Sequence, residues 1–474
     1  MVFSSLSFLF LFFPLVFLLH TVIPSWRWRN GLLILASLVF YAWGEPVYIL
    51  LLLFSVAVNW LLALILARRD TGRRAVVAAA VVLNIGLLVV FKYSGFLVEC
   101  CNTLFRLSLP VPAIRLPIGI SFFTFQTLSY VIDVYRDRKS VQTSLPRLLL
   151  YISFFPQLIA GPIVKYHDIR DQLERRELSA DRTAAGLKRF IYGLAKKVLL
   201  SNAMAAAADY AFALPGTSLT AAAAWLGALC YVLQIYFDFS GYSDMAIGLG
   251  RMFGFDFKEN FHYPYASVGI KDFWRRWHIS LSTWFKEYLY IPLGGNRKGR
   301  LRMVLNQFIV FSATGLWHGA NVTVLVWGLF HGLFLVLESS DILPVKRAAA
   351  HPLSRFVVRL YTLFVVLIGF TVFRADSMSQ AVTYLGAMFT GGQGSPADTA
   401  GMLTLFTPWF LLMLAVACVT SFPLMPTIQR RLCGSPLGAR VWEGTSYGMS
   451  LLLFALCVLS LAAGTYNPFI YFRF

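Results

Sequence analysis

Apolar runs of helical length recur from one end of the chain to the other, and basic residues gather in the short polar breaks between them. The runs are continuous and lack the ten-residue alternation of a barrel strand. In lipid only helices or closed barrels satisfy their own backbone groups, so the pattern predicts helices. Placing the basic breaks inside gives a path. The loops Trp26–Arg29 and Arg68–Arg74 lie two runs apart, with a Gly44-Glu45-Pro46 turn on the far side. A helix from Ala75 to Val98 exits, Leu116–Val134 returns, and Leu187–Leu214 and Ala221–Gly250 form the next pair. Later runs are Met303–Trp317, Val322–Leu337, one ending at Val372, Leu403–Phe422 and Tyr447–Ala463. The expectation is an all-α polytopic membrane protein of about 11 membrane helices.

Two stretches depart from plain spanning. Leu148–Val164 is short, contains Pro156, Gly161 and Pro162, and has basic residues on both flanks. A re-entrant hairpin with both ends inside satisfies the charge rule and accounts for the helix breakers. The segment 251–302 is rich in Trp, Tyr and Arg, a composition suited to the headgroup layer. No internal repeat or low-complexity linker divides the chain, so residues 1–474 are expected to form a single domain.

Composition narrows the class. Hydrophobic residues make up 58% and charged ones 13%, against about 25% charged in an average soluble domain. The net charge of +19 would suggest nucleic acid in a soluble protein. Here the cations cluster between apolar runs, so topology and lipid headgroups explain them and no nucleic-acid partner is expected. The six cysteines have no metal-ligand spacing, and neither a disulfide framework nor a metal site is expected. The first run, Ser5–Ile23, lacks a basic n-region and a cleavage site, which favours a retained helix.

The candidate chemistry sits between Asn260 and Glu338. His318 lies at the junction of two apolar runs of about 22 Å, too short for a roughly 30 Å core, so it is expected deep in the protein. An imidazole at that depth is a functional-site candidate, the alternative being a packing histidine hydrogen-bonded between helices. His278 lies earlier, among arginines, where a solvated interfacial role competes with a functional one. Asp238 and Asp244 could orient a histidine, though carboxylates at such boundaries are more often paired with Arg or Lys. His331 is expected to make a structural hydrogen bond.

Several motifs carry a family resemblance. FDFSGYSDMAIGLG, ENFHYPY, DFWRRWHISLS with YLYIPLGG, and WHGANVTVLVWGLFHG resemble the membrane-bound O-acyltransferase (MBOAT) family. The match is closest to the bacterial branch concerned with alginate O-acetylation, and GISFFTFQTLSYVIDVYR and FFPQLIAGPI also resemble that branch. The resemblance covers residues 116–338 densely, plus the C-terminal motif 469–474. It implies an MBOAT-like bundle with a buried catalytic funnel, His318 as the catalytic residue, and His278 as a second position near the acyl donor. The chemistry agrees, since a hydroxyl is a weak nucleophile and acyl transfer to it needs a base. Arg275, Arg276 and Lys286 are then candidates to hold the phosphates of acetyl-CoA.

FIYFRF resembles the tyrosine-bearing C-terminal motif of polymer-acylating systems in this family, which implies that Tyr471 accepts and relays the acyl group. The alternative is an aromatic interfacial anchor. The expected activity is transfer of acetyl from cytoplasmic acetyl-CoA across the inner membrane, for O-acetylation of an envelope polysaccharide such as alginate. A separate periplasmic acetyltransferase resembling SGNH hydrolases, and polysaccharide export or synthase components, are the expected partners. The rivals are D-alanyl transfer to teichoic acid, a transporter, and a scaffold of an export machine. A transporter would need matched halves with matched broken helices, and the sequence offers one broken run.

Overall fold

The computed structural model describes residues 1–464, 466–467 and 470. Among them the chain is helical with no β-strand, apart from an isolated bridge between Thr220 and Gly392. The contacts divide it into two units, Met1–Phe190 with Ser243–Lys258, and Ile191–Tyr242 with Glu259–Phe474.

The first unit contains α1 (Phe8–Val22), α2 (Trp26–Ala42), α3 (Ile49–Arg68), α4 (Arg73–Phe105), α5 (Ile120–Arg136), α6 (Leu145–Ser153) and α7 (Phe155–Leu158). Helix α4 runs through Glu99 to Phe105, longer than the sequence suggests, because nothing in ECCNTLF breaks a helix. Helices α3, α4 and α5 are joined by buried amides. Asn84 Nδ2 donates to Asn59 Oδ1 at 2.8 Å, and Thr127 Oγ1 donates to Asn84 Oδ1 at 2.9 Å. Between apolar helices such bonds supply the directionality that burial alone lacks.

The short run is broken as its prolines require. Helix α6 ends at Phe154, whose backbone opens to φ −54° and ψ 113°, and α7 is a single turn. The Tyr151 hydroxyl then donates to the Val164 carbonyl at 2.8 Å, so the chain doubles back within thirteen residues. Nine helical residues span about 14 Å, half a hydrocarbon core. The segment is a hairpin, buried at every residue but Leu149.

The second unit holds the histidines. It contains α8, the latter part of Ala180–Ala195, which continues through a π-turn into α9 (Asn202–Ala213), and most of α10 (Ala221–Met252). The short helices α11 (Ile270–Arg276) and α12 (Ile279–Phe285) precede the hairpin of α13 (Arg300–His318) and α14 (Val322–Ser339). Helices α15 (Pro352–Arg374), α16 (Met378–Thr390), α17 (Pro408–Thr420), α18 (Leu424–Leu432) and α19 (Pro436–Ala462) complete it. Helices α17 and α18 meet at 69° around Pro423, just beyond Phe422, where the sequence ends its run, and α18 is a further helix that the sequence does not announce. Six helices among the described residues are long and apolar enough to cross a membrane, or seven with that bent pair counted as one span. The other runs behind the expectation of about 11 form shorter or more polar helices.

Candidate active site

Helix α13 stops at His318 because Gly319 turns extended and Asn321 opens α14, its side-chain oxygen accepting the Thr323 N–H at 3.1 Å. The two helices return against each other at backbone contact. A Cβ on Gly315 would lie 2.3 Å from the Val324 carbonyl oxygen, and one on Gly328 would lie 2.3 Å from that of Phe311. Residues without a side chain are what permit so close a crossing. His318 is thereby fixed at the tip of the hairpin, 6% exposed. Trp327 and Phe373 meet its ring edge-on, with centroids 5.2 and 5.3 Å away.

His278 arrives by a different route. The Glu338 carboxylate caps the start of α11, accepting from the Ile270 N–H at 2.6 Å and the Lys271 N–H at 2.9 Å. The helix lasts seven residues, and the chain turns through His278 in the left-handed region (φ 44°, ψ 54°) before α12. A non-glycine residue there is strained, and such strain concentrates at functional sites. The surroundings hold it in place. The Asn260 side-chain oxygen accepts from the Ser280 N–H at 3.2 Å and the Ser280 hydroxyl at 2.9 Å, and lies 3.2 Å from His278 Nδ1. The oxygen can only accept, so Nδ1 carries the proton and Nε2 is the basic nitrogen.

His278 is fully buried, and its ring centroid lies 6.3 Å from that of His318. Burial first, and the His318 ring second, push the His278 imidazole well below its ordinary value, so it is neutral. The solvated interfacial alternative is therefore corrected. α11 ends in arginines, but its other face packs inward through Phe273, Trp274 and Trp277.

Space is distributed around the pair. A chamber of about 10 Å³ is lined by His318, Phe239, Trp277, Trp327, Phe370 and Ile470. Beyond Gly319 opens a cavity of about 270 Å³, walled by Asn321, Gln234, Asp209, Arg374 and again Ile470. At the opposite end of the hairpin is a cavity of about 700 Å³, walled by Lys271, Arg275, Arg300 and Glu338 among others. Arg300 and His318 are the first and last residues of α13, about 27 Å apart along the helix axis. The third residue after Arg275 is His278, so at most about 11 Å of chain links that cavity's wall to the histidines.

The sequence candidates are thus sorted. His318 and His278 come together. Arg275 faces the larger cavity, whereas Arg276 is paired with Asp272 at 3.0 Å and Lys286 is exposed outside the cavity's lining. Asp238 and Asp244 are both paired, with Lys197 at 2.7 Å and with Arg189 at 2.8 Å. His331 makes no hydrogen bond among the described residues, contrary to expectation. It is packed by the rings of Trp274 and Trp327, with its Nε2 against Gly369. Tyr471 lies outside the described residues. Its neighbour Ile470 is described and buried. Sequence reasoning missed Asn260, although a lone amide opening the aromatic stretch FHYPY was a signal. It also missed the contact of Asp238 with the tail, which no local pattern announces.

The profile of the membrane-bound O-acyltransferase family matches residues 48–348. The chain belongs to that family, and it is a multi-pass membrane O-acyltransferase. Among individual relatives, it is 40% identical to a probable alginate O-acetylase, AlgI, of Pseudomonas putida, with both chains covered completely. It is 36% identical to a peptidoglycan O-acetyltransferase of Helicobacter pylori, over 82% of this chain and 80% of that one. A teichoic acid D-alanyltransferase of Bacillus subtilis is 30% identical over 46% of this chain and 58% of its own length.

Proposed function

We propose that the protein takes acetyl from cytoplasmic acetyl-CoA and delivers it across the inner membrane for O-acetylation of an envelope polysaccharide, alginate being the leading candidate. The observation that carries this reading is the buried pair of His278 and His318 beside a chamber flanked by cavities at the two ends of one hairpin. Such an arrangement suits a donor and an acceptor that approach from opposite sides. Lys271, Arg275 and Arg300 suit the phosphates of the donor. Relatives aligned over the whole chain carry acetylase names, which supports acetyl over D-alanyl.

In the reaction we infer, His318 takes the phenolic proton of Tyr471 as its oxygen attacks the thioester carbonyl. The new C–O bond forms, the C–S bond breaks, and the thiolate recovers the proton from the imidazolium. The phenyl ester stays activated, because its leaving group has a pKa of about 10 against about 8.5 for an ordinary thiol. A second attack by an acceptor hydroxyl, on this protein or through a separate periplasmic acetyltransferase, regenerates the tyrosine. Export or synthase components would supply the polymer.

The test is incubation of the protein in nanodiscs with isotope-labelled acetyl-CoA, followed by mass spectrometry of the C-terminal peptide. Label on Tyr471 that disappears in His318→Ala is expected, with polymer acetylation lost in both His318→Ala and Tyr471→Phe. Retained polymer acetylation in Tyr471→Phe would remove the relay, and in His318→Ala the base.

A further inference from the structure

The described part of the C-terminal segment is held at three points within the second unit. The Tyr466 hydroxyl donates to Asp209 Oδ2 at 2.8 Å, Asn202 Nδ2 donates to Asn467 Oδ1 at 3.1 Å, and the Ile470 N–H donates to Asp238 Oδ2 at 3.0 Å. The two carboxylates are built alike. Lys197 Nζ takes Asp238 Oδ1 at 2.7 Å, and Arg374 takes Asp209 Oδ1 at 2.6 Å. In each, one oxygen serves a cation and the other serves the tail.

Burial gives this pattern its weight. The side chains of Lys197 and Asp238 are 3% and 1% exposed. A carboxylate so deep is tolerated only with its counterion and a full set of donors, and an ionised acceptor binds an N–H more strongly than a neutral one. An ordinary salt bridge between helices would not need a backbone N–H from 232 residues away. The grip also falls where it matters for chemistry, since Ile470 lines both the His318 chamber and the cavity beyond Gly319.

We infer that Asp238 and Asp209, each paired with its own cation, are positioning residues that clamp the C-terminal segment and set its register, so that the residue after Ile470 is the one delivered to His318. The purpose of the clamp rests on the relay reading above; its geometry does not. Asp238→Ala leaves Lys197 buried without its carboxylate and risks misfolding, so the informative variant is the double change Lys197→Met with Asp238→Leu, which removes both charges at similar volume. Asp209→Ala tests the second grip.

Two readouts separate the possibilities. The rate of carboxypeptidase trimming of the C-terminus reports the clamp, and labelling of the C-terminal peptide from acetyl-CoA reports the register. In monodisperse protein, each clamp variant should be trimmed about tenfold faster or more, the scale of losing a hydrogen bond to a charged group. Labelling should fall by at least about tenfold in the double variant, while Tyr471→Phe is trimmed at the parental rate. Unchanged trimming in both clamp variants overturns the clamp. Faster trimming with undiminished labelling overturns the register. Full polymer acetylation in Tyr471→Phe removes the relay alone, and trimming still decides the clamp.

Discussion

Gly315→Ala is a small change with a large expected effect. The added Cβ would sit 2.3 Å from the Val324 carbonyl oxygen and 3.2 Å from the Leu325 Cα, where ordinary contact begins at 3.4 Å. Both obstacles are backbone, so no rotamer relieves them, and α13 must move about 1.1 Å off α14. His318 is three residues further along the same helix and moves with it relative to Trp327. A displacement of about 1 Å at a reacting group costs on the order of 100-fold in rate, or about 2.7 kcal/mol on the barrier. Folding suffers less. Overpacking costs about 1–3 kcal/mol, partly offset by the roughly 1 kcal/mol that alanine gains over glycine within a helix. The assay is the maximal rate of acyl transfer from labelled acetyl-CoA, alongside the thermal midpoint of the purified protein. Gly386→Ala in α16 meets nothing within 4 Å and serves as control. A Gly315→Ala protein with the parental maximal rate would refute the claim that this crossing sets the catalytic distance.

Three further outcomes are expected. His278→Ala should lower kcat/KM for acetyl-CoA by about 100-fold, and Asn260→Ala, which removes the acceptor shared by Nδ1 and Ser280, by about tenfold; equal rates in both variants and the parent would reject a role in donor use. Arg275→Glu should raise the KM for acetyl-CoA with little change in maximal rate, whereas Lys286→Glu, outside the cavity, should leave KM unchanged; the reverse order would move the donor phosphates elsewhere. Single cysteines placed just before Leu148 and just after Val164 should react with an impermeant thiol reagent from the same side of the membrane, and labelling from opposite sides would show that the hairpin crosses.

What the sequence disclosed depended on how local the cause is. Helices follow from apolar runs, and the break at Phe154 follows from flanking prolines, so both were legible. His318 was legible because a titratable group between two short apolar runs is conspicuous. His278 was only half legible, because arginines surround it in sequence while its neighbours in space are Phe239, Trp317 and His318. Burial there is decided by which face of a seven-residue helix turns inward, and so short a helix carries little periodic signal. Pro423 was visible, yet an apolar run continuing to its edge masked the bend that follows. The tail contacts were not legible at all, since Asp238 and Ile470 meet only in the folded chain.

The size of the His318 chamber has a consequence for economy. Its volume of about 10 Å³ seats one water molecule at most. Among the described residues its other walls are aromatic rings, Ile235 and Ile470, which offer a water few hydrogen-bond partners. Were His318 to act as proposed, a thioester brought beside it would meet almost no competing water, and idle hydrolysis of the donor would be suppressed by shape. Productive turnover must first make room, and Ile470 of the C-terminal segment is one of the walls. On the proposed reaction, the side chains that would spend the acyl donor are also the ones that keep water from it.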